Sequence, residues 1–267
     1  MEADVYQRIK YAARTLLNID LEQYKDAQMR RRLDSWLTRK QIATWDEYIH
    51  LVRRDAEERE RFRAYLTINV SAFFRDITRW QEFDRKIIRS LHQTACTSLN
   101  PTGALRIWSA GCSIGAEIYS LAMLCEQFTP GQSHFLLATD IDRDALAQAR
   151  AGGPYANTEV QNISKAQRLT YFQKGGPPFY IKHSLAQKIE FREHNLLADP
   201  FDSGFDLILC RNVIIYFTDA AKEGLYRKFS QALRPGGILF LGSTEIISRP
   251  SDFGMRGIGM SFYEKCE

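Results

Sequence analysis

One stretch, RIWSAGCSIGAEIYSLA from Arg106 to Ala122, restricts the possible folds more than any other part of the chain. It predicts a buried strand, a turn of small residues and a helix, which is where α/β proteins usually hold a nucleotide-like ligand. Gly111 and Gly115 are four positions apart, so the turn lacks the G-x-G-x-x-G spacing of a dinucleotide site. Glu117, near the start of the helix, would repel a pyrophosphate but attract a cation. The turn therefore favours a cationic ligand.

Strands and helices alternate through the rest of the C-terminal part. The apolar runs HFLLATDID, IEFREHNLL and FDLILCRNVIIYF contrast with DAAKEGLYRKFSQAL, which has a helical pattern. RPGG is predicted to be a turn before the strand ILFLGSTE, and MSFYEKC is predicted to be a final strand. This order predicts an α/β fold with a doubly wound, mostly parallel sheet. RPGG before a penultimate strand, followed by a terminal strand, also matches the antiparallel sheet end that is typical of S-adenosylmethionine-dependent methyltransferases.

The N-terminal part is predicted to be helical throughout, because neither glycine nor proline occurs between Met1 and Asn100. The apolar residues of QMRRRLDSWLTRK fall on one helix face. Thr44 and Glu47 match a capping-box pattern and predict the start of a helix in TWDEYIHLVRRDAEERERFRAYL.

The chain is predicted to consist of a helical domain (1–75), a linker (76–105) and a cofactor-binding domain (106–267). The linker is predicted from the small and polar residues of HQTACTSLNPTGALR. Within the last domain, GGPP and the apolar triplet Phe179–Ile181 interrupt the alternation and predict a small β insertion around 171–190.

Composition excludes several classes of function. The five cysteines are odd in number and lack C-x-x-C spacing, so no disulfide framework is expected and a reducing cytoplasm is the expected location. The five histidines form no close pair, so no metal site is predicted. No apolar run approaches the roughly 18 residues that cross a bilayer, so no membrane insertion is expected. The N-terminus is predicted to be a helix and not a signal peptide.

Polar side chains mark the carboxyl ends of the predicted strands, where doubly wound sheets bind ligands. Asp140 ends a strand, and its carboxylate could accept two hydrogen bonds from a ribose diol. Asn195 offers a polar group for an adenine edge, and Leu196 an apolar one for its face. S-adenosylmethionine combines an adenosine with a sulfonium and an ammonium and has no phosphate. It therefore suits these residues and Glu117 better than a dinucleotide does.

The segment LTINVSAFFRD mixes polar and aromatic residues just before the predicted linker. One interpretation is a helix end, with Asn69 or Ser71 as a cap and two core phenylalanines. That interpretation leaves Arg75 unexplained.

Six segments in this order, TINVSAFFRD, RIWSAGCSIGAEIYSLAM, ATDID, HNLL, FDLILCRNVIIYF and RPGGILFLGSTE, resemble the chemotaxis receptor methyltransferases. These form the CheR family of protein-glutamate O-methyltransferases, and the resemblance covers almost the whole chain. It implies methyl transfer from S-adenosylmethionine, with S-adenosylhomocysteine as the product. The implied substrate is a glutamate carboxylate in the cytoplasmic helical region of a chemotaxis receptor.

The resemblance also implies roles for single residues. Arg75 and Tyr216 would flank the reacting methyl group and the substrate carboxylate as catalytic residues. Glu117 would hold the cationic amino-acid end of the cofactor, and Asp140 would hold the ribose. The implied cofactor-binding residues are Asn69, Ser71, Arg75, Glu117, Asp140, Asn195, Leu196, Arg211 and Asn212.

A basic segment, MRRRLDSWLTRK (Met29–Lys40), could bind nucleic acid, an anionic membrane or an acidic protein surface. The resemblance favours the last, an acidic receptor coiled coil, whereas the alternative is a solvated helix face. A monomer is expected, and the short β insertion argues against dependence on a receptor tail peptide. The candidate receptor-docking residues are Arg30, Arg31, Arg32, Arg39 and Lys40.

The loop departs from the family's usual S-T-G-E-E-P-Y, since Ile114, Ala116 and Ile118 replace its threonine, first glutamate and proline. Weaker cofactor binding is expected in consequence, but not its loss. One alternative function is a non-catalytic signalling protein that binds the cofactor, although Arg75 and Tyr216 favour an enzyme. A nucleic-acid methyltransferase is disfavoured, because N-P-P-Y and an aromatic-basic stripe for stacking bases are both missing from the sequence.

Overall fold

The computed structural model describes residues 2–95 and 102–266. Their contacts divide the chain into two compact units. The helical unit comprises the residues up to Ile68 together with Tyr216–Gly224, and the sheet unit comprises Asn69–Ile215 and Leu225–Glu267. The break after Ile68 precedes the predicted boundary at Arg75.

Four helices form most of the helical unit. Its core is aromatic: Tyr48 and Phe62 are buried and pack edge to face with ring centroids 5.1 Å apart. Thr44 caps a helix as predicted, because its side chain accepts a hydrogen bond from the Glu47 amide at 3.3 Å. The helices are α1 (Ala3–Leu17), α2 (Asp26–Lys40), α3 (Trp45–Arg54) and α4 (Ala56–Leu66), with a 3-10 turn at Leu21–Gln23.

The segment that follows Thr44 forms two helices where the sequence pattern suggested one. Asp55 separates them, and its carboxylate accepts hydrogen bonds from the amides of Glu57 and Glu58 at 2.9 and 3.1 Å. An aspartate before two glutamates is a good start for a helix. In a run as charged as RRDAEER, however, the same residue also fits a solvated helix face, so the pattern does not reveal the break.

Most of the predicted linker is helical, so the prediction of a linker is wrong over residues 77–95. Three consecutive helical elements cover this stretch. Trp80 and Phe83 are buried and pack on Phe240 of the sheet, with centroids 5.7 and 5.6 Å apart. Apolar residues at helical spacing without glycine or proline explain the result. Residues 96–101 of the predicted linker lie outside the described residues. The elements are α5 (Ile77–Glu82), a π-helical turn (Phe83–Ile87) and α6 (Ile88–Ala95).

A seven-stranded sheet in the order β3-β2-β1-β4-β5-β7-β6 forms the centre of the sheet unit. Neighbouring strands from β3 to β5 are parallel, and β7 is antiparallel to both β5 and β6. The prediction of a mostly parallel α/β sheet is confirmed. The strands are β1 (Arg106–Ala110), β2 (Phe135–Asp140), β3 (Ile189–Glu193), β4 (Phe205–Cys210), β5 (Leu233–Leu241), β6 (Met255–Gly259) and β7 (Phe262–Lys265).

Helices follow the parallel strands. Apolar residues of β1, β4 and β5 are buried together with those of the helix after β1. The helices are α7 (Ala116–Phe128), α8 (Arg143–Ala151), α9 (Lys165–Tyr171), α10 (His183–Ala186) and α11 (Asp219–Ala232), with 3-10 turns at Ile214–Tyr216 and Pro250–Phe253. None of the helices formed by the described residues is long and apolar enough to cross a membrane.

Two local predictions differ from the structure. RPGG lies inside β5, because the register passes from Phe205 opposite Leu233 to Leu207 opposite Ile238 and the extra residues bulge out. The predicted β insertion contains isolated bridges, such as the one between Phe172 and Ile181, and the short helix α10 in place of regular strands. The two prolines of GGPP lack the amide hydrogens that a ladder needs.

Candidate cofactor-binding and catalytic site

The loop between β1 and α7 is held against the end of β2 by its own backbone. The amides of Gly111 and Cys112 donate to the Thr139 carbonyl at 2.8 and 2.9 Å. The Ser113 amide donates to Asp140 Oδ2 at 2.7 Å. These amides are already used, so the loop offers a poor cradle for a pyrophosphate, which would need them.

Close packing explains why two positions of this loop are glycine. Gly111 has a φ of 82°, and a Cβ there would lie 2.6 Å from Cγ2 of Val213. Gly115 also has a φ of 82°, and a Cβ there would lie 2.9 Å from the Cβ of Ala149. Both glycines therefore allow a tight turn and close packing, without the dinucleotide spacing.

Glu117 lies in the first turn of α7 and is largely buried, with its side chain 12% exposed. Its Oε1 accepts a hydrogen bond from Ser109 Oγ at 2.8 Å, and its Oε2 lies 3.5 Å from Nη1 of Arg211. Burial raises the pKa of Glu117, while Arg211 and Ser109 oppose that rise. A largely buried carboxylate paired with a single cation at 3.5 Å can also stabilise a positively charged ligand.

Asp140 ends β2 as predicted, and it is 9% exposed. Oδ2 accepts from the Ser113 amide, and Oδ1 accepts from the Asp142 amide at 2.9 Å. Burial raises the pKa of Asp140 to about 6. Each oxygen can accept a second hydrogen bond, so both are suited to the two hydroxyls of a ribose.

Asn69 links the start of the sheet unit to this loop. Its Nδ2 donates to Asp142 Oδ2 at 2.5 Å, and its Oδ1 accepts from Ser113 Oγ at 2.9 Å. Asn69 thus joins Asp142 and Ser113, whose amides both donate to Asp140, and so helps to fix the loop. Ser71, also predicted to contact the cofactor, is half-buried.

The segment around Arg75 is irregular, so the helix-end interpretation is wrong, although its two phenylalanines do lie in the core. Phe73 is fully buried, and its ring packs edge to face on Tyr155 with centroids 4.9 Å apart. The Phe74 amide donates to Ser120 Oγ at 2.9 Å. Arg75 is half-buried, and its Nη1 donates to the Val70 carbonyl at 2.5 Å.

Left-handed backbone is concentrated at this site. Four residues other than glycine have a positive φ here: Phe74 (49°), Asp76 (59°), Ser113 (49°) and Asn212 (61°). The other two such residues in the described ranges, Asn18 and Gln41, are helix C-caps in the helical unit. Backbone strain of this kind typically marks functional sites.

Arg211 follows β4, and its side chain is only 2% exposed. Its Nη2 donates to the Arg75 carbonyl at 2.9 Å and to Asp76 Oδ2 at 3.2 Å. Its guanidinium carbon lies 4.7 Å from the ring centroid of Phe240. Arg211 was predicted to contact the cofactor, yet in the structure its Nη2 is hydrogen-bonded to protein groups.

Glu245 is a buried residue of the site that the sequence did not single out. Its Oε2 accepts from the amides of Asn212 and Gly242, both at 2.7 Å. Its Oε1 accepts from the amides of Val213 and Ile215 at 3.0 and 3.2 Å. One carboxylate thus joins the loops after β4 and β5 and fixes Asn212. The only signal in the sequence is an acid at the end of the apolar run ILFLGSTE.

The predicted adenine contacts lie after β3. The His194 amide donates to the Asp140 carbonyl at 2.9 Å, which places the next two residues beside the ribose candidate. Leu196 is 8% exposed. Asn195 Oδ1 accepts from the Leu197 amide at 3.0 Å, which holds this turn in place. An apolar and a polar group therefore lie together next to Asp140.

Tyr216 belongs to the helical unit by its contacts. It ends a 3-10 turn, is half-buried, and its carbonyl accepts a hydrogen bond from the Lys25 amide at 2.9 Å. Phe217 packs edge to face on Tyr24, with centroids 5.0 Å apart. The start of α2 thus fixes Tyr216, and its catalytic role stays a prediction.

The basic side chains of Met29–Lys40 are less available for docking a partner than the sequence suggests. Lys40 Nζ lies 2.6 Å from Oε1 of Glu58, a buried acid that also accepts from the Tyr48 hydroxyl at 2.8 Å. Arg32 donates to the Tyr65 carbonyl. Arg30 is half-buried and lies over the ring of Tyr6 at 4.0 Å. The two exposed members of the predicted docking set are Arg31 and Arg39.

Lys40 and Arg31 should differ in their effect on stability. We expect Lys40→Met to lower the free energy of unfolding by about 2–3 kcal/mol, because it leaves the buried Glu58 carboxylate without its main cation. The matched change Arg31→Met, on the same helix, should cost less than about 0.5 kcal/mol. Urea unfolding followed by circular dichroism tests both variants, and equal midpoints would contradict a structural role for Lys40.

The three departures in the loop are all buried. Ile114, Ala116 and Ile118 are at most 6% exposed and belong to the hydrophobic core. The polar atoms of the loop come from its backbone, Ser113 and Glu117. The prediction of weaker cofactor binding stays a prediction.

The residues present fit S-adenosylmethionine. Asp140 and Glu245 are buried acids, Glu117 is largely buried, and Arg211 is the buried cation beside Glu117, so acids outnumber this cation at the site. That excess favours a ligand with a sulfonium and an ammonium. The polar and apolar groups at Asn195 and Leu196 suit the edge and face of an adenine.

Comparisons with known proteins agree with this geometry. The CheR methyltransferase all-alpha domain matches residues 4–67, and the CheR methyltransferase SAM binding domain matches residues 69–260. A chemotaxis protein methyltransferase of Listeria monocytogenes is 39% identical over 249 residues, covering 93% of this chain and 92% of the relative. A chemotaxis protein methyltransferase of Escherichia coli K12 is 30% identical over 264 residues, covering 94% and 88%. The two matched domains meet at the break after Ile68.

Proposed function

The chain belongs to the CheR methyltransferase family, and from this premise we propose that it methylates glutamate side chains of chemotaxis receptors. Membership supports a methyltransferase of chemotaxis that uses S-adenosylmethionine. Esterification of receptor glutamates is the finer step of the proposal. The observation that carries the cofactor part of the proposal is the pair of carboxylates, Glu117 (largely buried) and Asp140 (buried), beside a loop whose amides are already hydrogen-bonded.

Glu117, Asp140, Asn195 and Leu196 would hold the cofactor. Bound S-adenosylmethionine supplies a methyl group that passes to a carboxylate oxygen as its bond to sulfur breaks, which leaves S-adenosylhomocysteine. The chain has little proton chemistry to perform, because a glutamate side chain is already ionised at pH 7. Its contribution is to position the carboxylate and exclude water.

Arg75 is the proposed positioning group for the carboxylate. A guanidinium presents several donors in a fixed plane, so it can hold one carboxylate oxygen while the other reacts. In the structure, one of its nitrogens is held by the Val70 carbonyl, which limits the directions open to the rest. Tyr216 is proposed to hold the carboxylate through its hydroxyl. Arg31 and Arg39 are the proposed contacts to an acidic receptor helix.

A transfer assay with labelled S-adenosylmethionine tests the proposal. Membranes that contain chemotaxis receptors should acquire label, and mild base should release it as methanol, because carboxyl methyl esters hydrolyse and N-methyl groups do not. Membranes without receptors are the control. Label that resists base would contradict glutamate esterification, and cofactor binding without any transfer would favour the non-catalytic signalling protein.

A further inference from the structure

The carboxylate of Glu245 is enclosed by backbone amides. Glu245 is 3% exposed and lies in the tight turn after β5, where its own amide donates to the Gly242 carbonyl at 3.0 Å. An ionised carboxylate has about four acceptor positions, and four amides donate to this one. Protein donors therefore saturate Glu245 and leave its oxygens little capacity to bind a ligand. The four donors are the amides of Asn212, Val213, Ile215 and Gly242.

Three of these amides belong to the loop after β4. Asn212, Val213 and Ile215 direct their N–H groups toward one point, an arrangement that binds anions. Asn212 also has a φ of 61°, a left-handed conformation that needs fixed contacts in a residue other than glycine. Without the carboxylate these donors would have to turn away, because an unpaired buried donor is costly. The shape of this loop therefore depends on an anion supplied by the loop after β5.

Close packing holds the carboxylate of Glu245 in place. A Cβ at Gly242 would lie 2.5 Å from Glu245 Oε2 and 2.9 Å from the amide nitrogen of Asn212. Both separations are too short for a real Cβ, so only glycine allows the two loops to approach this closely. A larger residue at position 242 would displace the carboxylate but leave its charge.

Glu245 also acts on its surroundings through its charge. Burial raises the pKa of Glu117, and the charge of Glu245 adds to that rise. Burial lowers the pKa of Arg211, and nearby carboxylates, that of Glu245 among them, oppose that change. Two roles are therefore distinguishable for Glu245. It can hold the loop after β4 in its shape, or it can attract the cationic groups of the cofactor by charge alone.

We propose that Glu245 is a positioning residue that shapes the loop after β4 for cofactor binding. This inference rests on the proposed function and deepens it, because Arg211 and Asn212 of this loop are among the residues that the family resemblance implies as cofactor contacts. The four amides favour positioning over charge alone, since they tie the two loops together through one carboxylate. Glu245 acts through the loop and does not touch the cofactor itself.

The variants Glu245→Gln and Gly242→Ala separate the two roles. Glutamine removes the charge and places an NH2 group against amides that now meet an oxygen, whereas alanine at 242 keeps the charge but displaces the carboxylate. We expect Glu245→Gln to raise the Kd for S-adenosylhomocysteine by about 10- to 100-fold, the range for leaving buried donors without a partner. Gly242→Ala should raise it by about fivefold or more. Calorimetry measures both values, and a role of charge alone predicts a raised Kd in Glu245→Gln only.

Asp206→Asn is the matched control for loss of a buried acid. Asp206 is 5% exposed and lies at the amino end of β4, away from the loop that follows this strand. Its carboxylate accepts from the Arg106 amide at 2.6 Å and from Nε of Arg234 at 2.5 Å. Like Glu245→Gln, this change should lower the urea midpoint of unfolding. The Kd of Asp206→Asn for S-adenosylhomocysteine should nevertheless stay within about twofold of the wild-type value.

Hydrogen exchange followed by NMR locates the change without an activity assay. The amides of Asn212, Val213 and Ile215 should exchange faster in Glu245→Gln than in the wild type, and at nearly the wild-type rate in Asp206→Asn. Faster exchange at these three amides together with a raised Kd would support positioning.

Three results would overturn the proposal. These are a wild-type Kd in Glu245→Gln, a wild-type Kd in Gly242→Ala, and a Kd that rises equally in Glu245→Gln and Asp206→Asn. Should Glu245→Gln fail to fold, Gly242→Ala decides between the two roles by itself. Failure of the wild type to methylate receptors would refute the proposed function alone, because neither the Kd nor the exchange rates require a receptor.

Discussion

Arg75→Ala is expected to lower kcat for receptor methylation by about 100- to 1,000-fold, the usual loss when one preorganised donor is removed from a reacting oxygen. The cofactor should still bind, with a Kd within about threefold of the wild type, because Glu117 and Asp140 are unchanged. Initial rates with labelled S-adenosylmethionine and calorimetry with S-adenosylhomocysteine measure the two quantities. The physical reason is the position of Arg75 on a turn fixed by Phe73, Phe74 and Arg211.

Arg79→Ala is the matched control for this prediction. Arg79 lies four positions further along the chain, and its guanidinium is engaged by Glu82 at 2.7 Å. Loss of an arginine from the same region should therefore leave kcat nearly unchanged. If Arg75→Ala retains wild-type kcat, or if its Kd rises as steeply as its activity falls, then Arg75 does not position the substrate carboxylate.

Local patterns were enough to predict the framework of the sheet unit. The end of β2 at Asp140 follows from one apolar run and the polar residues after it. Parallel strands bring their carboxyl ends to one edge, so the neighbourhood of Glu117, Asp140 and Leu196 follows from the order of elements. Thr44 as a cap is equally local, since donor and acceptor lie three residues apart.

Contacts between distant residues could not be predicted in this way. Arg211 bonds to Asp76 across 135 positions, and Asn69 bonds to Asp142 across 73. Neither pairing leaves a periodic signal, and an arginine among apolar residues fits a ligand contact as well as an internal support. Glu245 is a further case, because its four donors are backbone amides and carry no side-chain identity.

Predictions that depended on charge alone were the least secure. In the sequence, Lys40 is one of several basic residues that could dock a partner. In the structure, its charge is compensated by the buried Glu58. Asp55 reads as part of a charged helix face, but it begins a helix. A charged side chain acquires its role from the groups that fold against it, and these are distant in sequence or hidden among similar residues.

The second large effect is expected at Asp140. Asp140→Asn should weaken cofactor binding by about 100-fold at pH 7.5, because two charge-assisted hydrogen bonds to ribose hydroxyls are lost. An amide also places a donor against one of the two backbone amides, from Ser113 and Asp142, that now meet carboxylate oxygens. Calorimetry with S-adenosylhomocysteine measures the loss.

Glu193→Gln provides the control for Asp140→Asn. Glu193 lies opposite Asp140 in the register of β2 and β3, but it is exposed and pairs with Arg143. The variant removes a negative charge from the same edge of the sheet. Its Kd for S-adenosylhomocysteine should stay within about twofold of the wild-type value. Equal weakening in both variants would mean that general electrostatics, and not the contact at Asp140, controls affinity.

The pH dependence of cofactor binding gives a second test of Asp140. The raised pKa of its carboxyl group determines whether affinity rises or falls with pH. The pKa of Asp140 in the folded protein is about 6, above its ordinary value of 3.8. The charged form binds the ribose, so affinity should be full near pH 7.5 and about tenfold lower at pH 5, where about one carboxylate in ten is ionised. The Asp140→Asn variant has no such group, and its affinity should be less dependent on pH over this range.

The contribution of Asp140 to the stability of the ligand-free protein should fall as the pH rises, whereas cofactor affinity should increase. Because the folded-state pKa is raised, the folded protein holds this proton more tightly than the unfolded chain does. The stabilising contribution of protonation is complete below pH 4 and is lost as the pH rises through 6. At neutral pH the buried charge therefore costs stability in the free protein, and hydrogen bonds to a ribose would offset that cost.

A cofactor affinity that is flat from pH 5 to 7.5 in the wild type would show that Asp140 does not bind the ligand through its ionised carboxylate.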